Sequence, residues 1–244
     1  MGGRLIVSLG SRRVAWRGLG DPGVAVHAGE PGSCLVEALT DLPRPAEVVV
    51  GSVAGENVTR DLREACRKAW SLVPRELVAT AKARGVCNAY AEPAGLGIDR
   101  WAAMIAARHA HDGAVLVADC GTAVTVDYVA EDGRHVGGLI APGIGIMRAA
   151  LASGTRLAPT SRLAPTPPLL GTDTELAITG GTLAAVAGLL AYVAEKTRAR
   201  YGEPKAILVT GGDAVVVAPR LGKGWSHAPD LVLDGLELLA EEPT

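Results

Sequence analysis

The chain contains no phenylalanine, and aromatic residues make up only 3% of its 244 positions. The interior must therefore be filled by Val, Leu, Ile and Ala, which suits helices packed on a parallel or mixed sheet. Cysteine is scarce as well. Cys34, Cys66, Cys87 and Cys120 form no C-x-x-C pair and have no matching histidine pair. That spacing excludes the common zinc modules and fits reduced thiols. The five histidines, His27, His109, His111, His135 and His227, are scattered and read as surface or internally satisfied polar groups.

An excess of one charge is missing too. The net charge of −2 excludes a general nucleic-acid binder with a basic face, but not a small anionic substrate. The N-terminus MGGRLIVSLG has too short an apolar run for a secretion signal, and Ile6 breaks the myristoylation pattern. One long apolar stretch, AITGGTLAAVAGLLAYVA (177–194), is bounded by Glu175 and Glu195 and is rich in Gly and Ala. It suits a buried helix better than a membrane span. The expectation is a cytoplasmic protein without membrane or nucleic-acid partners. Neither a G-x-x-x-x-G-K-[ST] loop nor a G-x-G-x-x-G after the first strand occurs, which disfavours a P-loop enzyme and a dinucleotide fold.

What is present is enough for a sizeable core: 48% of residues are hydrophobic and 20% charged. LIVSLGSRRVAW (5–16) reads as strand, glycine turn, strand, and VLVADCGTAVTVDYV (115–129) reads the same way. The repeat of this pattern, half a chain apart, predicts two similarly built α/β lobes, 1–114 and 115–244, with a ligand cleft between them. A third apolar strand with a glycine turn is AILVTGGDAVVV (206–217). VEALTDL (36–42) and NVTRDLREACRKAWSLV (57–73) carry helical spacing, EVVVGSVAG (47–55) reads as a strand, and ELVATAKARG (76–85) fits either. Pro93, Gly95 and Gly97 break the chain, and Asp99 falls where an N-cap belongs before RWAAMIAARHA. Asp132-Gly133 predicts a hairpin turn, and GGLIAPG a strand with a Gly-rich entry into a helix. Residues 155–174, with RLAPT twice, read as a surface loop. A helix is expected from about Thr174 to Arg198, then a strand and a helix in DLVLDGLELLAEE.

Asp119 ends an apolar strand, where an unpaired carboxylate is expensive. Either a metal, a donor or a helix end satisfies it, or it is a turn aspartate bonding its own backbone. Glycine turns like those at Gly10, Gly121 and Gly211-Gly212 present backbone N–H groups to phosphate oxygens without side-chain obstruction. Phosphoryl transfer also needs a cation near the phosphates and a carboxylate to take the hydroxyl proton. Asp119 and Asp99 are the natural pair for these tasks.

Tyr90, Pro93, LGIDRW (96–101), DCGTAVTVD (119–127), GGLIAPG (137–143), GTDTELAI (171–178) and TGGDA (210–214) occur in the order and spacing of the type III pantothenate kinases, and the chain resembles that family along nearly its whole length. The resemblance implies the actin, hexokinase and Hsp70-like ATPase fold, which is ribonuclease H-like. It implies phosphorylation of pantothenate by ATP to 4′-phosphopantothenate, which opens coenzyme A biosynthesis. Asp99 is then the general base. Tyr90, Gly97, Ile98, Asp99 and Arg100 line the pantothenate site, with Arg100 matched to the substrate carboxylate. Thr174 completes that site across a homodimer interface. Thr122 contacts the ATP phosphates, and Asp119 binds a monovalent cation, potassium or ammonium. Magnesium accompanies ATP.

The first phosphate loop departs from the family pattern Asp-x-Gly-Asn-Ser/Thr. Ser8 stands for the Asp, Gly10 is kept, Ser11 stands for the Asn and Arg12 for the Ser or Thr. The expected ATP contacts here are therefore Ser8, Gly10, Ser11 and Arg12. Two outcomes follow. Arg12 or Arg13 supplies part of the missing charge and the enzyme works, or the chain is an impaired homologue with a binding or regulatory role.

Overall fold

The computed structural model describes residues 3–19, 22–26, 42–155 and 168–242. Most of VEALTDL, both RLAPT copies, His27 and Cys34 lie outside those residues. The chain divides into two compact units, residues 1–109 with 230–244, and residues 110–229.

The first unit is built on a five-stranded sheet in the order β3-β2-β1-β4-β5. Its strands are β1 (Arg4–Leu9), β2 (Arg13–Arg17), β3 (Gly23–Val26), β4 (Glu47–Ser52) and β5 (Arg75–Leu77). β1 pairs antiparallel with β2 and parallel with β4. Leu5, Val7, Leu9, Val48 and Val50 are buried, as continuous apolar strands in a covered sheet require. Helix α1 (Glu56–Trp70) lays Val58, Leu62, Ala65, Cys66 and Trp70 on one buried face. It stops at Ser71, which takes a left-handed conformation and donates its N–H to Arg67 O. The ELVATAKARG stretch is extended, not helical: β5 is followed by a two-stranded hairpin of β6 (Lys82–Ala83) and β7 (Val86–Cys87).

The second unit repeats the plan. Its strands are β8 (Val115–Cys120), β9 (Ala123–Val129), β10 (His135–Pro142), β11 (Ala206–Thr210) and β12 (Trp225–His227). Their order is β10-β9-β8-β11-β12, with β8 antiparallel to β9 and parallel to β11. The similarity noticed between the Gly10 and Gly121 turns thus extends to whole sheets. The β9–β10 turn closes at Asp132-Gly133 as expected, with Gly133 at positive φ. Beyond it His135 and Asp127 are buried together, with Nε2 and Oδ1 3.0 Å apart.

Helix α2 (Ile98–Ala110) is buried on nearly every side as far as Ala107. Helix α3 (Ile144–Gly154) follows β10, and α4 (Thr174–Tyr201) runs beyond the expected Arg198. Helix α4 is long and apolar enough to cross a membrane by length and composition. It carries a buried stripe of Ile178, Thr182, Leu183, Val186, Leu190 and Ala194, so one face is covered rather than the whole helix. The AVVV after the third glycine turn is a short helix, α5 (Ala214–Val217).

The last helix, α6 (Leu231–Ala240), has no strand before it within DLVLDGLELLAEE; β12 ends at His227. Residues 230–244 were expected in the C-terminal lobe, but α6 packs on β1, β2, β4 and β5 of the first unit. Leu236 meets Gly51 of β4, and Gly235 lies directly on the Ala102 backbone of α2. Only the missing side chain at position 235 permits that approach.

Candidate functional site

The expected site residues gather in four places, two in each unit. The first is the β1–β2 turn. Ser8 is half-buried in β1, in register with Ala15 of β2 and Gly51 of β4. Gly10 N–H bonds to Arg13 O at 2.9 Å, which closes the turn. Ser11, Arg12 and Arg13 are exposed on it. Arg12 therefore stands out from the fold rather than packing into it. The turn contains no carboxylate.

The second place is the start of α2. Gly97 O accepts from Trp101 N–H at 3.0 Å, so Gly97 holds the N-cap position. Asp99 lies inside the first turn, one correction to the sequence reading, because the helix begins at Ile98. Its Oδ1 accepts from Arg100 N–H at 2.8 Å. Negative charge is favoured at a helix N-terminus, so the position suits an ionised carboxylate. Arg100 is only 6% exposed, and its Nη1 donates to Tyr90 Oη at 2.9 Å while the guanidinium lies 5.8 Å from the Tyr90 ring centre. Tyr90, Asp99 and Arg100 are thus brought together, and Ile98 is buried in the core. Gly97 also sits against Val53, whose N–H bonds to Leu9 O at 2.9 Å. This links the start of α2 to the strand end that carries the Gly10 turn.

Asn88 was not singled out from the sequence. Its Oδ1 accepts from Tyr90 N–H at 3.0 Å, and its Nδ2 donates to Thr80 O and Pro93 O, each at 3.2 Å. One amide side chain therefore fixes the loop that presents Tyr90. An Asn two residues before a site tyrosine in a Pro- and Gly-rich loop was the available signal.

The third place is the β8–β9 turn. Asp119 is half-buried at the end of β8, opposite Thr125 of β9 and Thr210 of β11. Thr122 O accepts from Gly143 N–H at 3.1 Å, tying the turn to the entry of α3. Cys120 O accepts from Asp213 N–H at 2.8 Å, tying it to the TGGDA turn. Burial, then the charges of Asp119 and Asp213, push the Cys120 thiol up to about 12. Both carboxylates therefore act on one small region. Gly143 and Asp213 join this place although the sequence reading gave them no role; each sits in a motif quoted for its glycines.

The fourth place is Thr174, exposed in the first turn of α4, where the preceding Asp173 caps the helix by accepting from Leu176 N–H at 2.8 Å. Thr174 lines an apolar groove of about 780 Å³ between α3 and α4, with Pro142, Ile146, Met147, Ala150 and Ile178.

Asp119 Oδ1 and Cys120 O both crowd the position that a Cβ at Gly211 would take, so they lie close to one another beside the TGGDA turn. Carboxylate and carbonyl oxygens are the donors that a hard cation takes. Among the described residues no three His, Cys, Asp or Glu side chains cluster to hold a metal.

The sequence profile of the type III pantothenate kinases matches residues 23–196. A type III pantothenate kinase of Alkalilimnicola ehrlichii is 40% identical, covering 98% of this chain and 98% of its own. That of Nitrosococcus oceani is 34% identical, covering 98% and 94%. Among solved structures, a conserved putative Baf family transcriptional activator from Campylobacter jejuni aligns with a TM-score of 0.59 at 19% identity, covering 97% of this chain and 98% of that one. An archaeal actin homologue aligns with a TM-score of 0.58 at 12% identity, covering 99% of each. These two structural likenesses speak to the fold, that of the actin-like ATPases.

Proposed function

This chain belongs to the type III pantothenate kinase family, and from that premise we propose that it phosphorylates pantothenate with ATP. The products are 4′-phosphopantothenate and ADP, and the reaction opens coenzyme A biosynthesis. One observation carries the reading in this chain: Asp99, Arg100 and Tyr90 are assembled at the start of α2. Asp99 accepts the proton of the substrate hydroxyl as its oxygen attacks the γ-phosphorus. The new P–O bond forms while the bond to the ADP oxygen breaks. Arg100, fixed by Tyr90, pairs with the pantothenate carboxylate. Gly97 and Ile98 set the wall of that site.

Nucleotide phosphates meet the turn of Ser8, Gly10, Ser11 and Arg12 and the turn of Thr122. Asp119 would hold potassium or ammonium, whose positive charge would offset the negative charge of the phosphates. Magnesium arrives with ATP. The apolar groove beside Thr174 supports a homodimer in which Thr174 completes the partner's pantothenate site. Exposed Leu139, Ile140 and Ile146 nearby add apolar area to that face. The cytoplasm is the expected compartment for the reaction.

The test is ADP release by purified protein with ATP, magnesium and potassium, with and without pantothenate. Stimulation by pantothenate supports the reading. ATP turnover indifferent to pantothenate points to another hydroxylated substrate. Folded protein that releases no ADP under varied cations supports a second reading, an impaired homologue with a binding or regulatory role. The observation favouring that second reading is the carboxylate-free β1–β2 turn.

A further inference from the structure

Several arginines of the first unit are committed to acids. Arg4 and Arg75 bond Glu47 at 2.6 and 2.8 Å, Arg17 bonds Asp234 at 2.8 Å, Arg63 bonds Glu56 at 2.8 Å and Arg84 bonds Glu241 at 3.0 Å. Arg12 and Arg13 differ. Both are exposed on the β1–β2 turn, and neither guanidinium group has a hydrogen bond or ion pair with any described residue. Their backbone is nonetheless fixed. Gly10 N–H bonds to Arg13 O, and Leu9 O accepts from Val53 N–H, each at 2.9 Å. Glu56, the first acid after β4 at this end of the sheet, is paired with Arg63 at 2.8 Å. The turn thus presents two consecutive guanidinium groups without an ion-pair partner among the described residues, and it carries no carboxylate to ligate a divalent cation.

We infer that this turn is an arginine clamp for the polyphosphate of a nucleoside triphosphate and neutralises it without a divalent metal at the turn. The inference rests on the kinase reading above and specifies how charge is balanced there. Guanidinium suits the task because it is always protonated and forks onto phosphate oxygens.

The experiment is equilibrium binding of ATP, by calorimetry, to the full chain with magnesium and again with EDTA. Wild-type protein is expected to bind ATP in both conditions. The double variant Arg12→Ala/Arg13→Ala is expected to bind about 10- to 100-fold more weakly in both, the loss of a charge-assisted contact. Pantothenate affinity is expected to stay unchanged. Ser8→Asp, which adds a carboxylate to the same turn, is expected to weaken ATP binding. Wild-type affinity in the double variant, or tighter magnesium-dependent binding by Ser8→Asp, overturns the clamp. If the wild type still releases ADP in response to pantothenate, that failure leaves the kinase reading standing. Wild-type protein that binds no ATP in either condition overturns both.

Discussion

Gly211 lies against Asp119 so closely that a Cβ at position 211 would overlap Asp119 Oδ1 and fall 2.6 Å from Cys120 O. Gly211 also adopts φ +92°, where L side chains are strained. Two turns far apart in sequence are thereby locked into one place. Gly211→Ala is expected to cost about 1–3 kcal/mol of stability from the strained backbone alone. It is also expected to displace Asp119, so a raised potassium requirement accompanies the lower melting temperature. A variant with unchanged melting and unchanged potassium dependence means that the close approach has no role in the cation site.

Asp99 is placed to accept the substrate proton, and its Oδ1 is oriented by Arg100 N–H. Asp99→Asn keeps the size and the hydrogen-bond acceptor but removes the basicity. The turnover number is expected to fall by about 10²–10⁴ while the melting temperature holds. Steady-state kinetics at saturating pantothenate reads this directly. Turnover at the wild-type level removes Asp99 from the base role.

How much of this was legible in the sequence varies with the physical signal. β1, β4, β8 and β11 were plain, because strands buried in a covered sheet are continuous apolar runs. β3 was not, since GVAV is short and lies at a sheet edge with little buried surface. The final helix was legible as a helix, but not its unit. Leu231, Leu233 and Leu236 declare a buried face without naming the sheet they cover. Asp99 was found through its motif, yet the cap assignment was off by two positions, because helix boundaries depend on which carbonyl accepts the first bond. Asn88 carries no motif; its three bonds arise only when residues 80, 90 and 93 fold around it.

Tyr90 fixes Arg100 by a hydrogen bond to its hydroxyl. Tyr90→Phe removes that bond and keeps the ring. A hydrogen bond to a charged group is worth about 1.5–3 kcal/mol, so KM for pantothenate is expected to rise by roughly 10- to 100-fold. KM for ATP is expected to stay within about twofold of wild type, because Arg100 is assigned to the other substrate. A rise in both constants places Tyr90 in general support of the fold. A rise in neither removes it from the pantothenate site.

The buried thiols give a pH-dependent test of the core. Burial pushes Cys66 up to about 11, and burial with Asp119 and Asp213 pushes Cys120 up to about 12, from an ordinary 9.0. At pH 8 the native Cys66 and Cys120 thiols are then protonated, so iodoacetamide is expected to leave their peptides unmodified. The consequence for stability has a definite sign. Above pH 9 the unfolded chain loses these protons first and the native chain keeps them, so the unfolded state binds fewer protons and stability falls as pH rises. The contribution is fully present below pH 9 and is lost as pH passes through 11 to 12. Denaturant titrations at pH 8 and pH 10 are expected to show that loss, and to show less of it in Cys120→Ala. A pH dependence identical in the variant means that the Cys120 thiol is not held neutral by its surroundings. Rapid alkylation of native Cys120 at pH 8 means that the β8–β9 turn opens far more often than its ties to Gly143 and Asp213 allow.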